Sequence, residues 1–206
     1  MKLLLVVEKL NYMKRLIGEN KIKTAVFISG TGSNFKSLLK FSKLKRSPIE
    51  IKCVISDKRN AKGLLYAKKL NIKKKIFNFF DSKKAEKKTL EFLKKNQINL
   101  ICLAGFMRIL SKTFIKNFEG KILNIHPSLL PKYKGLNTHE RVLKNKEKFT
   151  GCTVHFVNSK LDSGKIIMKK KVRIFKNESS LSLSKRVLKQ EHILYPKAIL
   201  KIFSNL

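Results

Sequence analysis

Thr24-Ala25-Val26-Phe27-Ile28-Ser29-Gly30-Thr31-Gly32-Ser33-Asn34-Phe35-Lys36-Ser37-Leu38-Leu39 is the stretch on which the reading of the fold turns. Thr24 to Ile28 is short and rich in branched and aromatic residues, as a buried strand is, and from Asn34 to Ser42 the apolar residues recur at helical spacing. Between them Ser29 to Asn34 carries two glycines. Such a turn either brings bare backbone and the free amides of a helix start to an anion, or simply turns the chain. It lacks the Lys-Ser/Thr pair of a Walker A loop and the third spaced glycine of a dinucleotide fingerprint.

The same alternation continues outward. Ile49 to Ile55, Lys75 to Phe79, Asn99 to Ala104 and Lys121 to Ile125 read as further buried strands, and Ala61 to Leu70, Asp81 to Asn96 and Ser111 to Asn117 as helices, with Asp81 as an N-cap. Strands alternating with helices pair in parallel through right-handed crossovers, so the expected fold class is α/β: an open, mostly parallel twisted sheet with helices on both faces. After His126 come a loop, a short helix from Thr138 to Asn145, two strands (Thr150 to Asn158 and Lys165 to Arg173) and a closing helix from Leu181 to Phe203. Residues 23–206 are expected to form one domain, and residues 1–22 an N-terminal extension.

The 206 residues carry 48 Lys and Arg against 13 Asp and Glu, a formal charge of +35. Taken alone this charge would suit nucleic acid or an anionic membrane. All but seven of the basic residues are Lys, however, and they are scattered through every segment; Phe, Ile and Asn are abundant and Trp is absent. That is the profile of an A+T-biased genome, so the charge reads as compositional, and no specific nucleic-acid partner is expected. It would still attract anionic substrates. No apolar run approaches the roughly 18 residues of a membrane span. Met1 to Val7 is too short for a signal-peptide core, and a cytoplasmic location is expected. Cys53, Cys102 and Cys152 are widely spaced in apolar stretches, which implies buried free thiols in a reducing compartment. No His, Cys or carboxylate group has metal-ligand spacing, and no metal is expected.

Lys121-Ile122-Leu123-Asn124-Ile125-His126-Pro127 carries more specific information. Along a strand side chains alternate, so Asn124 and His126 share one face at the carboxyl end, where open α/β sheets bind ligands. Pro127 holds His126 extended. An amide donor beside an imidazole meets the needs of acyl transfer: one stabilises an oxyanion, the other moves protons near neutral pH. An isolated Asn and His at a strand end can equally do no more than satisfy backbone groups.

Ile28 to Asn34, Leu103 to Ser111, Asn124 to Pro131, Gly151 to Val157, Leu161-Asp162-Ser163-Gly164 and Gln190-Glu191-His192 together resemble the ordered signatures of the glycinamide ribonucleotide formyltransferases, from about Lys23 almost to the end of the chain. The resemblance implies a Rossmann-like formyltransferase fold and transfer of the formyl group of 10-formyltetrahydrofolate, as co-substrate, to the amine of glycinamide ribonucleotide in purine synthesis. It implies that Gly32, Ser33 and Asn34 hold the nucleotide phosphate and Glu191 its ribose. Met107, Arg108, Ile109 and Leu110 would line the folate pocket, and Asn124, His126 and Asp162 would be catalytic. Asp162 alone would read as a turn residue. Lys83 stands where some members carry Arg near the folate, which would remove a bidentate contact. Ser163 and Lys134 also depart from the pattern. His139, His155 and His192 read as structural, His155 being the one expected nearest the site.

Two other folate enzymes share the Asn-x-His and Asp core: methionyl-tRNA formyltransferase, expected to carry a further C-terminal domain, and formyltetrahydrofolate deformylase, expected to carry an N-terminal regulatory domain. Neither is expected to pair the Gly-Thr-Gly-Ser-Asn loop with the Gln-Glu-His acid. A basic nucleic-acid-binding protein, the alternative from another class, leaves Asn124, His126 and Asp162 unexplained. The expected partners are thus small molecules, with the protein a monomer or homodimer. The proton passes through His126 or through a water held by Asp162.

Overall fold

The computed structural model describes residues 21–204. The expected extension therefore lies, up to residue 20, outside the described residues. Strand β1 (Ile22–Ile28) begins one residue before the expected boundary, with the Ile22 amide donating to the Pro48 carbonyl at 2.8 Å.

Seven strands form one sheet in the order β3-β2-β1-β4-β5-β6-β7. They are β1, β2 (Ile49–Ser56), β3 (Lys73–Ile76), β4 (Leu100–Leu103), β5 (Lys121–His126), β6 (Phe149–Phe156) and β7 (Ile166–Arg173). The first five pair in parallel, and β6 and β7 extend the sheet antiparallel. The expected open, mostly parallel sheet is thus present. Because strand order reverses between β1 and β4, a crevice opens beyond their carboxyl ends.

Helices cover both faces. On one face α1 (Ser33–Ser42), α2 (Gly63–Lys69), α5 (Thr138–Lys144) and α6 (Ser180–Ser204) bury Leu38, Leu64, Val142 and Leu194 against Val26, Ile28, Leu123 and Ile125. On the other, α3 (Ser82–Lys95) and α4 (Lys112–Asn117) bury Leu93 and Phe114 against Phe27, Ile55 and Ile122. Asp81 caps α3, accepting from the Lys84 amide at 3.0 Å, and Ser111 caps α4, accepting from Phe114. Tyr195 of α6 is fully buried, its hydroxyl 3.1 Å from the carbonyls of Leu103 and Leu123, which ties that helix to the ends of β4 and β5.

One strand differs from its expectation. The third strand, expected buried over Lys75 to Phe79, is instead the exposed edge strand β3. Phe77 and Phe79 are buried, but they lie past its end, in the loop that leads to α3, and pack against Phe92 and Phe106. An apolar pair drew the reading toward itself, whereas three of the four paired residues are lysines. A lysine-rich edge suits a strand that must not pair with another chain. The three cysteines are free and buried, and burial pushes each thiol up to about 12.

Candidate active site

A cavity of about 710 Å³ opens at the carboxyl ends of β1, β4 and β5. Asn124, His126, His155 and Asp162 line it, together with Met107, Arg108, Ile109 and Leu110, and with Asn34 and Glu191. Exposed Met107, Ile109, Leu136 and Leu161 give it apolar walls over a polar floor, a shape that suits a flat ring carrying a polar reacting group.

The floor is built by strand alternation. Leu123 and Ile125 enter the core beneath one face, while Asn124 and His126 emerge on the other. In the antiparallel pairing of β5 with β6, Asn124 lies directly opposite His155. Asn124 Nδ2 is 3.3 Å from His155 Nε2 and 3.4 Å from Asp162 Oδ1. His155 Nδ1 donates to the Phe156 carbonyl at 2.8 Å, which turns Nε2 toward Asn124 Nδ2 and, at 3.7 Å, toward Asp162 Oδ1. Both Asn124 bonds are long and weak, and either N–H can turn to an incoming carbonyl oxygen at small cost.

His126 is held from both sides. Its Nε2 donates to the Tyr133 carbonyl at 2.8 Å, and its Nδ1 stands 3.3 Å from Asp162 Oδ2. Burial pushes the imidazole below its ordinary value, while the Tyr133 carbonyl and the Asp162 carboxylate pull the other way. Burial prevails. The Asp162 carboxylate therefore opposes the effect of burial on the imidazole without reversing it. Asp162 resists burial through its contacts with His155, the Gly135 amide at 2.9 Å and His126, which hold its carboxyl below the usual range. It sits in a left-handed turn, φ 45°, a conformation that short polar side chains tolerate.

The glycine loop lies at the start of α1. Gly32, φ 73°, is its N-terminal flanking residue, and the first amides of the helix have no intrahelical partner. Asn34 Nδ2 donates to Glu191 Oε2 at 2.6 Å, and among the described residues Asn34 Oδ1 is a buried acceptor without a partner. Burial pushes the Glu191 carboxyl up, opposed by the Asn34 bond. Two buried acceptors side by side call for a ligand bearing donors, such as sugar hydroxyls, and would repel a phosphate. The amides at the helix start, rather than the Asn34 side chain, are suited to the anion.

Of the residues expected from sequence, Asn34, Met107, Arg108, Ile109, Leu110, Asn124, His126, Asp162 and Glu191 converge on the cavity. Gly32 and Ser33 stand beside it. Lys83 does not reach it: it is exposed in the first turn of α3 and does not line the cavity. The Met107 amide is already donated to Ser29 Oγ at 2.8 Å, so it is not free for a ring.

Sequence reasoning missed the Tyr133 carbonyl, the Gly135 amide and the Asp57 carboxylate, and took His155 as structural. His155 carried a signal, since a strand opposite Asn124 would bring the two together. The backbone groups carried none. Among the described residues no three His, Cys, Asp or Glu side chains group as metal ligands, and no helix is long and apolar enough to cross a membrane.

Comparison with known proteins meets this geometry. The chain is 42% identical over 180 residues to the phosphoribosylglycinamide formyltransferase of Haemophilus influenzae, covering 86% of this chain and 85% of that one. It is also 42% identical over 202 residues to the trifunctional purine biosynthetic protein adenosine-3 of Gallus gallus, covering 95% of this chain and 20% of that protein. It thus spans about a fifth of the trifunctional relative's length. The crystal structure of phosphoribosylglycinamide formyltransferase from Brucella melitensis matches with a TM-score of 0.83 and 42% identity, over 89% of this chain and 95% of that one. Residues 22–199 match the family described as formyl transferase, and they contain the whole Asn124, His126 and Asp162 floor; the chain belongs to the formyl transferase family.

Proposed function

We propose that the protein transfers the formyl group of 10-formyltetrahydrofolate to the amine of glycinamide ribonucleotide. The observation that carries this reading is the shared partner of Asn124 and His126: Asp162 lies 3.4 Å from the amide of one and 3.3 Å from the ring of the other, at the floor of an apolar-walled cavity. An oxyanion site, a proton carrier and a carboxylate that holds both form the set that acyl transfer needs. The strong likeness to phosphoribosylglycinamide formyltransferases supports the choice of substrates.

The nucleotide enters with its phosphate at the free amides of α1 and its ribose against Glu191 and Asn34 Oδ1. The folate ring lies between Met107, Arg108, Ile109, Leu110 and the opposite wall. Holding both in one cavity makes the attack effectively intramolecular. The amine nitrogen attacks the formyl carbon, and the carbonyl π pair becomes an oxyanion stabilised by an Asn124 N–H and by His126. The intermediate collapses by breaking the bond from the formyl carbon to the folate nitrogen. One proton leaves the amine and one reaches that folate nitrogen, carried by His126 or by a water bound at Asp162. The dispersed lysines bind nucleic acid at most non-specifically and serve no step of the reaction.

The test is to mix the purified protein with both substrates and follow the change in folate absorbance. Turnover that needs both substrates supports the reading.

A further inference from the structure

Asp57 lies just past the end of β2 with no exposed side-chain surface, and no step above uses it. A buried carboxylate is costly unless its oxygens are paired. Both are. Oδ1 accepts from Ser29 Oγ at 2.5 Å, and Oδ2 accepts from Arg108 Nε at 2.9 Å. Having given its hydrogen to Asp57, the Ser29 hydroxyl can only accept, and it takes the Met107 amide at 2.8 Å. The Ser29 amide in turn donates to the Gly105 carbonyl at 3.0 Å. The carboxylate thereby reaches the Met107 amide by way of the Ser29 hydroxyl and holds the Arg108 side chain directly, beside Gly105, which the Ser29 backbone holds independently.

This arrangement matters because residues 105–108 form a loop beyond β4 with no ladder of their own. Gly105 sits at φ 75°, and the exposed Met107 has little packing to hold it. Phe106 is anchored edge-on against Phe27 and Phe79, so the ties to Ser29 and Asp57 restrict the freedom that remains at Met107 and Arg108, which a bound ring would otherwise have to order. We propose that Asp57 is a positioning residue for the folate subsite, which sets the Met107 backbone through the Ser29 hydroxyl and holds the Arg108 guanidinium at the cavity wall. The proposal rests on the reading of this cavity as a folate site.

Two substitutions separate the arms of the device. Asp57→Asn keeps an acceptor for Ser29 but removes the countercharge of Arg108. Ser29→Ala frees the Met107 amide and leaves the Asp57–Arg108 pair in place. Each is expected to raise the KM for the folate roughly tenfold, the scale of one lost charge-assisted or buried hydrogen bond. The nucleotide KM and the pH-rate profile, which reports His126, should stay as in the wild type. The double variant should fall short of the product of the two single effects, because both act on one segment.

A merely structural role would lower the melting temperature and move both KM values together. If wild-type protein has no formyl-transfer activity, the functional reading fails. If the wild type is active and Asp57→Asn, folded, keeps its folate KM within twofold, the positioning role is overturned. Should Asp57→Asn not fold, Ser29→Ala carries the same expectation, and an unchanged folate KM there overturns the proposal.

Discussion

Gly32 and Gly63 touch backbone to backbone: a Cβ built on Gly32 would lie 2.6 Å from the Gly63 Cα, and the Gly63 amide donates to the Gly30 carbonyl at 3.0 Å. The second glycine of the loop is therefore required by packing against the start of α2 as well as by its left-handed φ. Gly32→Ala should destabilise the protein by at least about 1–2 kcal/mol from the conformation alone, and by more from the clash. For a chain of this size, thermal denaturation should show a melting temperature lower by roughly 2 °C or more. A Cβ on Gly30, by contrast, meets nothing within 4 Å. Gly30→Ala should leave stability unchanged and, on the reading of this turn as a phosphate loop, raise the nucleotide KM selectively by adding a methyl to its bare backbone. A Gly32→Ala protein as stable as wild type would contradict the packing account.

Asp162 is one of two groups that lift the His126 imidazole against its burial. Asp162→Asn removes that charge with little change of shape, so the imidazole should drop further below its ordinary value. The limb of the pH-rate profile that reports protonated His126 should move toward acid, and turnover at neutral pH should fall by roughly 10²- to 10⁴-fold, the scale of a lost acid-base contribution. Both KM values should change far less. An unmoved limb with near wild-type turnover would return Asp162 to the role of a turn residue.

Glu191 is buried with its carboxyl pushed up, and it accepts from Asn34. Glu191→Gln keeps an acceptor for Asn34 and removes the buried charge. The variant should melt no lower than wild type at pH 8, yet its nucleotide KM should rise roughly tenfold or more through loss of a charged acceptor for the ribose. Loss of stability without a change in KM would place Glu191 in the structural framework only.

Burial pushes the imidazoles of His126, His139 and His192 below their ordinary value of 6.5. The unfolded chain then binds more protons than the folded one as pH falls through 6.5, so stability is full above that value and declines below it. Asp162 has the same sign at lower pH, whereas Glu191, with its carboxyl raised, works in the opposite direction. Melting temperature should therefore be level from about pH 8 to 7 and fall steadily toward pH 5. A rise on acidification would mean that the pairing of His126 with Asp162 outweighs its burial.

How much of this was legible depends on which groups carry the information. The alternation of Ile122 to His126 placed Asn124 and His126 on one face at a strand end, and the β-α spacing set the parallel order of the first strands. Both are periodic features of side chains, which sequence records directly. The grouping of Asp162 with them came from family likeness, since a chain separation of 36 residues from His126 has no period to read. Lys83 was carried over from the family resemblance, and here its side chain is exposed on α3 and does not line the cavity. Tyr133 and Gly135 act through backbone atoms that every residue has, so nothing in their identities pointed to the site. The Gly32 contact with Gly63 joins two segments that sequence keeps 31 residues apart.

The central claim is that this cavity moves a formyl group from a reduced folate to an amino nucleotide. Its most direct test is a folate-absorbance assay with 10-formyltetrahydrofolate and glycinamide ribonucleotide, run on the wild type and on His126→Ala. The wild type should release tetrahydrofolate only when the nucleotide is present, with formylated nucleotide formed in equal amount, and the activity of His126→Ala should fall by roughly 10²-fold or more. Folate consumption independent of the nucleotide, or formylation that survives the loss of His126, would contradict it.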